Sequence, residues 1–272
     1  MHFPKFWKLA KSGEVSAWGW SDVSVTDALA VGAKRVDRVI AWLKGERDCP
    51  EAAYDYPGRP MREEVLREFR AANGELIAAV TRNTQGCEVL NVANLLFVDI
   101  DEPQSRGGFF KSLFGKKPPG FEGSTLAKVG SWVAAHPDWG IRAYRTRAGI
   151  RLVATHKPYN PEDPVCAEVF AAFEADPLYR KLCASQKCFR ARLTPKAWRC
   201  GLTSPGVRWP WRDAQAESEF KAWNAKYQTE SKNFAVCRQL GHFGQSEIHT
   251  MISELVAFHD TAARVGANLP LA

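Results

Sequence analysis

The sequence predicts an α+β fold, and three observations carry that reading. From Leu95 to Leu193, short apolar blocks and amphipathic blocks follow one another as strand, helix, strand, strand, helix, strand. That order is the split βαβ unit, so a ferredoxin-like or RRM-like central antiparallel sheet is expected, with one face left open to a ligand. Helical periodicity flanks this region on both sides, and 272 residues at 45% hydrophobic content suffice to bury a core of this size. The expected organisation is an N-terminal helical extension over 1–74, a core over 75–200 with a basic loop at 104–123, and a C-terminal helical annex over 201–272.

Each element has a local reason. After an aromatic N-terminal segment, Leu29, Val36, Val39, Ile40 and Leu43 recur at helical spacing between Ser24 and Leu43, with Lys34, Arg35, Asp37 and Arg38 largely on another face. Cys49 to Pro60 is rich in proline and tyrosine and predicts a loop. A second helix is expected from Met61 to Ala72, stopped by Asn73-Gly74. Glu75–Thr81, Cys87–Asn91 and Leu95–Ile100 are strand-like and separated by Asn- or Gly-bearing turns, which predicts an antiparallel meander. The Gly-, Lys- and Phe-rich stretch 104–123 contains Pro118-Pro119 and predicts a loop, functional or merely tolerated. Ser124 can cap a helix to His136, and Arg147-Ala148-Gly149 can turn a hairpin joining Ile141–Thr146 to Ile150–Thr155. Helices over 164–175 and 177–185, a strand over 188–193, and helices over 214–240 and 248–265 complete the pattern.

Composition narrows the partners. A net charge of +7 and a pI near 9.1 favour an anionic partner such as nucleic acid or nucleotide phosphate. Ten tryptophans are many, and Trp7, Trp198, Trp209 and Trp211 lie beside basic residues, where they can stack bases or simply pack. The seven cysteines never form C-x-x-C, and Cys183, Cys188 and Cys200 fit no common zinc spacing. With no signal-like N-terminus and no membrane-length apolar run, the expected compartment is the cytoplasm. P-loop, G-x-S-x-G and H-E-x-x-H motifs are absent, and His242, His249 and His259 are expected to be ordinary surface or cap histidines.

The chemistry-bearing residues fall in three patches. In Leu95-Leu96-Phe97-Val98-Asp99-Ile100-Asp101, strand alternation puts Asp99 and Asp101 on one face. Two such carboxylates repel and call for compensation, by Mg²⁺ or Mn²⁺ in one reading and by neighbouring arginines in the other. The hairpin Thr146-Arg147-Ala148-Gly149-Ile150-Arg151 can present backbone N–H groups, Thr146 and Arg151 to an anion. In Phe189-Arg190-Ala191-Arg192-Leu193-Thr194-Pro195-Lys196, alternation puts Arg190 and Arg192 on one face, toward phosphate, solvent or the acids.

Taken together, the h-h-h-D-h-D strand, the T-x-x-G-x-[basic] hairpin and the R-x-R-L-T-P strand resemble the catalytic core of archaeo-eukaryotic-type primases and primase-polymerases, over roughly the central third of the chain. The resemblance implies that Asp99 and Asp101 hold Mg²⁺ or Mn²⁺ and carry catalysis of nucleotidyl transfer. It also implies that Thr146, Arg151, Arg190, Arg192 and Lys196 contact phosphates or template. Arg151 stands where that family has histidine, and the strand at Cys188–Thr194 offers no third carboxylate, Asp213 on a linker being a weak substitute. The expected partners are a nucleoside triphosphate, nucleic acid, or both, and no membrane. Two alternatives stay open: a non-catalytic RNA- or DNA-binding module, and a protein-interaction scaffold.

Overall fold

The computed structural model describes residues 1–46, 60–103 and 120–272. The expected loop over 49–60, apart from Pro60, and most of the basic loop over 104–123 lie outside these residues. The architecture is α+β, built on antiparallel sheets.

The chain opens with a hairpin, β1 (Phe6–Ser12) and β2 (Val15–Ser21), turned at Gly13-Glu14 with Gly13 at φ +57°. Helix α1 (Val25–Leu43) is capped by Ser24, whose side chain accepts from the Asp27 N–H, and packs on this hairpin through Ala28, Gly32 and Val36. Gly19 permits the close approach: a Cβ there would lie 1.9 Å from the Ala28 carbonyl oxygen.

The segment expected as a helix over 61–72 is instead β3 (Glu64–Arg70). Val65, Leu66 and Phe69 fit helical spacing, but only Phe69 is buried, and pairing with the next strand sets Glu64 opposite Arg82 in a 3.0 Å ion pair. One four-stranded sheet runs in the order β3, β4 (Leu76–Arg82), β5 (Glu88–Val92), β9 (Phe189–Arg192). The meander expectation holds for β4 and β5 only, because the acid-bearing β6 (Phe97–Asp101) leaves for the second sheet.

That sheet has the order β10 (Cys237–Gly244), β7 (Gly140–Thr146), β8 (Gly149–Ala154), β6. The last strand of the expected six-element unit, β9, pairs with β5 and not beside β6. The C-terminal part is not wholly helical either. After α5 (Ala214–Ser231) the chain forms β10 on the edge of β7 before α6 (Thr250–Ala262). The expected helix to Leu240 overran because Cys237–Gly244, with a bulge between Gln239 and Gly241, is recruited by a partner far away in sequence.

Helix α2 (Phe121–Ala135) starts at Gly120, so Ser124 is not its cap; its hydroxyl donates to the Phe121 carbonyl. With α3 (Pro164–Ala172), α2 belongs to the core that covers Val98, Ile141 and Leu152, while α4 (Pro177–Gln186) leads into β9. One hydrophobic cluster joins both four-stranded sheets to these helices and to α6 through Ile252, Leu255 and Val256.

Gly149 sits against β6 so closely that a Cβ would fall 1.9 Å from the Ile100 carbonyl oxygen. Gly149→Ala is expected to destabilise the protein by about 2–3 kcal/mol through this overlap. Gly130→Ala, in α2 with open space around it, is expected to stabilise by about 0.5–1 kcal/mol. Urea denaturation of the two variants checks both, and a Gly149→Ala protein as stable as wild type would contradict the packing of β8 against β6.

Candidate functional site

The register of β6 on β8 decides the chemistry. Val98 faces Leu152 and Ile100 faces Ile150 across the strands, toward the core, while Asp99 lies opposite Arg151 and Asp101 opposite Gly149 on the other side. Asp99 and Asp101 therefore share a face, as alternation requires. That face is not open: Arg151 and Tyr144 are buried on it, with His259 of α6 against both. Only its edge at Asp99 reaches a cleft.

Arg151 binds Asp99 with both arms of its fork, Nε to Oδ1 at 2.8 Å and Nη2 to Oδ2 at 3.2 Å. Its side chain is 1% exposed and that of Asp99 33%. Burial opposes the arginine's charge, but the Asp99 carboxylate outweighs it and pushes the guanidinium pKa up. Compensation of the acid pair by arginine is thus realised at Asp99, by Arg151 from the paired strand. Arg190 serves a different acid: its Nη2 lies 2.7 and 2.8 Å from the Glu63 carboxylate oxygens, and its Nη1 donates to Gln186 at 2.9 Å.

Asp101 is in a different position. Burial, then Asp176 and Asp99, hold its carboxyl above the ordinary aspartate range, against the pull of Lys196 and Arg192. Asp176 caps α4, accepting from the Tyr179 N–H at 2.6 Å, and its own N–H donates to the Asp99 carbonyl at 3.1 Å. Among the described residues, no three His, Cys, Asp or Glu side chains are grouped so that they could hold a metal ion.

The cleft has a volume of about 780 Å³. Asp99, Arg190, Arg192 and Lys196 line one wall, with Tyr179 of α4 beside them. Trp7, Trp18 and Trp20 of the N-terminal hairpin and Arg35 of α1 line the other. Trp7 packs on Trp20 at 5.9 Å between centroids and on Trp209 at 5.8 Å, and Arg35 lies over the Trp20 ring at 4.9 Å. Of the residues singled out from sequence, Asp99, Arg190, Arg192 and Lys196 meet here. Arg151 lies behind the wall; Asp101, opposite Gly149 at the exposed end of β6, and Thr146, opposite Cys237 at the end of β7, are not among the residues that line the cleft.

Arg192 and Lys196 belong to a cationic cluster. Burial and Arg151 lower the pKa of Arg192; burial, Arg192 and Arg199 lower that of Lys196; burial, Arg192 and Arg147 lower that of Arg199. None of Arg147, Arg192, Lys196 and Arg199 makes an ion pair among the described residues, and the buried Nε of Arg192 has no hydrogen-bond partner there. Lys196 Nζ instead lies 5.0 Å from the centroid of the half-exposed Trp198 ring.

Sequence reasoning missed two parts of this site. The hairpin tryptophans Trp18 and Trp20 carried a signal in the Gly13-Glu14 turn and in the alternation that sets Trp7 opposite Trp20. His259 is no surface histidine but is buried at 1% exposure, whereas His249 does cap α6, accepting from the Met251 N–H. The six described cysteines are buried and free, and among the described residues no helix is long and apolar enough to cross a membrane.

Removing the fork should expose what it compensates. Arg151→Met is expected to destabilise by about 3–5 kcal/mol, since it strands a half-buried carboxylate. Asp99→Asn should cost less, because the amide oxygen still accepts one bond. The double variant should fall short of the sum by about 1 kcal/mol or more. Urea denaturation of the four proteins measures the coupling, and additive losses would contradict it.

A scan against protein-family models gives no match for this chain, and searches of curated proteins and of solved structures give none either.

Proposed function

We propose that the protein is a primase-like nucleotide- or nucleic-acid-binding protein that takes phosphates into the cleft between its N-terminal hairpin and its core. The carrying observation is the cluster of Arg147, Arg192, Lys196 and Arg199, of which Arg192 and Lys196 line the cleft: burial and neighbouring cations lower the pKa values of Arg192, Lys196 and Arg199, and none of the four makes an ion pair among the described residues. Like charges held together in a partly desolvated place favour an anion that relieves them, and guanidinium forks suit phosphate. The facing Trp7, Trp18 and Trp20 supply flat apolar surfaces against which bases can stack. The RRM-like reading of the core belongs to this proposal, supported by the order β7, β8, β6 within one sheet. A reducing, cytoplasmic setting suits the buried free thiols.

A second reading, a nucleotidyltransferase in which Asp99 and Asp101 hold Mg²⁺ or Mn²⁺, is favoured by one observation: burial, and after it Asp176 and Asp99, raise the pKa of Asp101, so this edge would welcome a further cation. The donor set fits such an ion poorly, because Arg151 engages both oxygens of Asp99 and the described residues offer no group of three ligands. No transfer step is assigned to it.

Fluorescence anisotropy with a labelled single-stranded oligonucleotide tests the proposal. Binding is expected to persist in EDTA and to fall with salt, and Lys196→Gln is expected to weaken it roughly fivefold while reducing the salt slope by about 1. Absence of binding at low salt would overturn the proposal in favour of a protein-interaction scaffold. Binding that requires Mn²⁺ and disappears in Asp101→Asn would replace it with the second reading.

A further inference from the structure

Behind the wall of the cleft, a chain of polar contacts runs from Asp99 into α6. Arg151 uses Nε and Nη2 on Asp99; its Nη1 donates to the Arg192 carbonyl at 3.1 Å and faces His259 Nε2 at 3.3 Å. His259 Nδ1 lies 2.9 Å from Asp260 Oδ1, and the other oxygen of Asp260 accepts from Arg142 Nη1 at 2.8 Å. Arg151 and His259 are each 1% exposed, so water cannot readily substitute for either partner.

The donors and acceptors of this chain fix its protonation. A guanidinium only donates, so the His259 Nε2 that faces it must be an acceptor. The ring proton then sits on Nδ1 and is donated to Asp260, which leaves a neutral imidazole of one tautomer. Burial, and Arg151 against the opposing pull of Asp260 and Asp99, keep the histidine pKa low, in agreement with this state. Phe97 and Tyr144 flank the ring, each at 5.3 Å between centroids, and hold its plane.

Arg151 ties together two strands of the wall that carries Asp99 and Arg192: through its fork it holds the Asp99 carboxylate of β6, and through Nη1 it holds the backbone of β9 at Arg192. An arginine left without an acceptor on its third arm could swing that arm elsewhere and shift both contacts. We propose that His259, oriented by Asp260, is a positioning residue for the cleft, fixing the rotamer of Arg151 and through it the relative placement of Asp99 and Arg192. The inference rests on the reading that this cleft takes the phosphates of a nucleotide or nucleic acid strand.

His259→Gln and His259→Met separate positioning from mere packing, since the two side chains are of similar size and only glutamine keeps an acceptor for Arg151. The affinity for a fluorescein-labelled single-stranded oligonucleotide is measured for both, beside wild type and Asp99→Asn, with melting temperatures of all four. Methionine is expected to weaken binding about tenfold and glutamine no more than about threefold, measured well below the melting temperature of each variant, because a hydrogen bond to a charged group has been lost in one and kept in the other. Equal affinities for the methionine and glutamine variants, with binding weakened in Asp99→Asn, would overturn the positioning role. If neither Asp99→Asn nor either His259 variant changes the affinity, it is the placement of the ligand in this cleft that fails. Should the methionine variant not fold, Asp260→Asn takes its place: it removes the charge that orients the ring and is expected to weaken binding by about threefold. Wild-type affinity in Asp260→Asn would then overturn the proposal.

Discussion

The buried guanidinium of Arg151 is the constraint on which the rest of this structure depends. Taking a cation of that size out of water costs several kcal/mol even after relaxation, so each of its donors needs an acceptor close by. Asp99 on β6, the Arg192 carbonyl on β9 and His259 on α6 supply them. These three acceptors come from one strand of each four-stranded sheet and from the C-terminal helix. The requirement to satisfy one side chain therefore ties together the parts of the core that are far apart in sequence, and it does so directly behind the cleft.

The same arrangement explains the uneven electrostatics of the site. Because Arg151 engages both oxygens of Asp99 from below, the cations in front make no ion pair with that acid among the described residues. Arg192, Lys196, Arg199 and Arg147 then crowd one another, while Asp101 is crowded by Asp176 and Asp99. Positive and negative surplus lie side by side along one edge of the cleft, a pattern suited to a ligand that carries both phosphate and hydrogen-bond donors. The tryptophans of the opposite wall add apolar surface, so the recognition we infer joins charge on one side to stacking on the other.

Much of this was legible in the chain. Alternation alone placed Asp99 and Asp101 on one face, and apolar runs gave β4 to β9 nearly to the residue. What could not be read was which strand pairs with which. Arg190 and Arg192 looked like the natural partners of the acids, yet Arg190 is claimed by Glu63, a residue whose surroundings had helical spacing but which precedes an edge strand. Arg151 looked like a phosphate ligand because the β6–β8 register, which puts it opposite Asp99, is a tertiary fact. The burial of His259 had the same origin: nothing in its own helix reveals that a guanidinium lies against the ring. The N-terminal hairpin was the exception, since its two-residue turn and facing tryptophans carried a local signal.

The account stands or falls on where a nucleic acid strand lies. Photocrosslinking of a 4-thiothymidine-bearing single-stranded oligonucleotide, followed by mass spectrometry of the joined peptides, addresses this directly. The account predicts crosslinks to the peptides carrying Trp7, Trp18, Trp20 or Trp198. Crosslinks confined to α2 and α3, on the other side of the β6–β8 sheet, would contradict it.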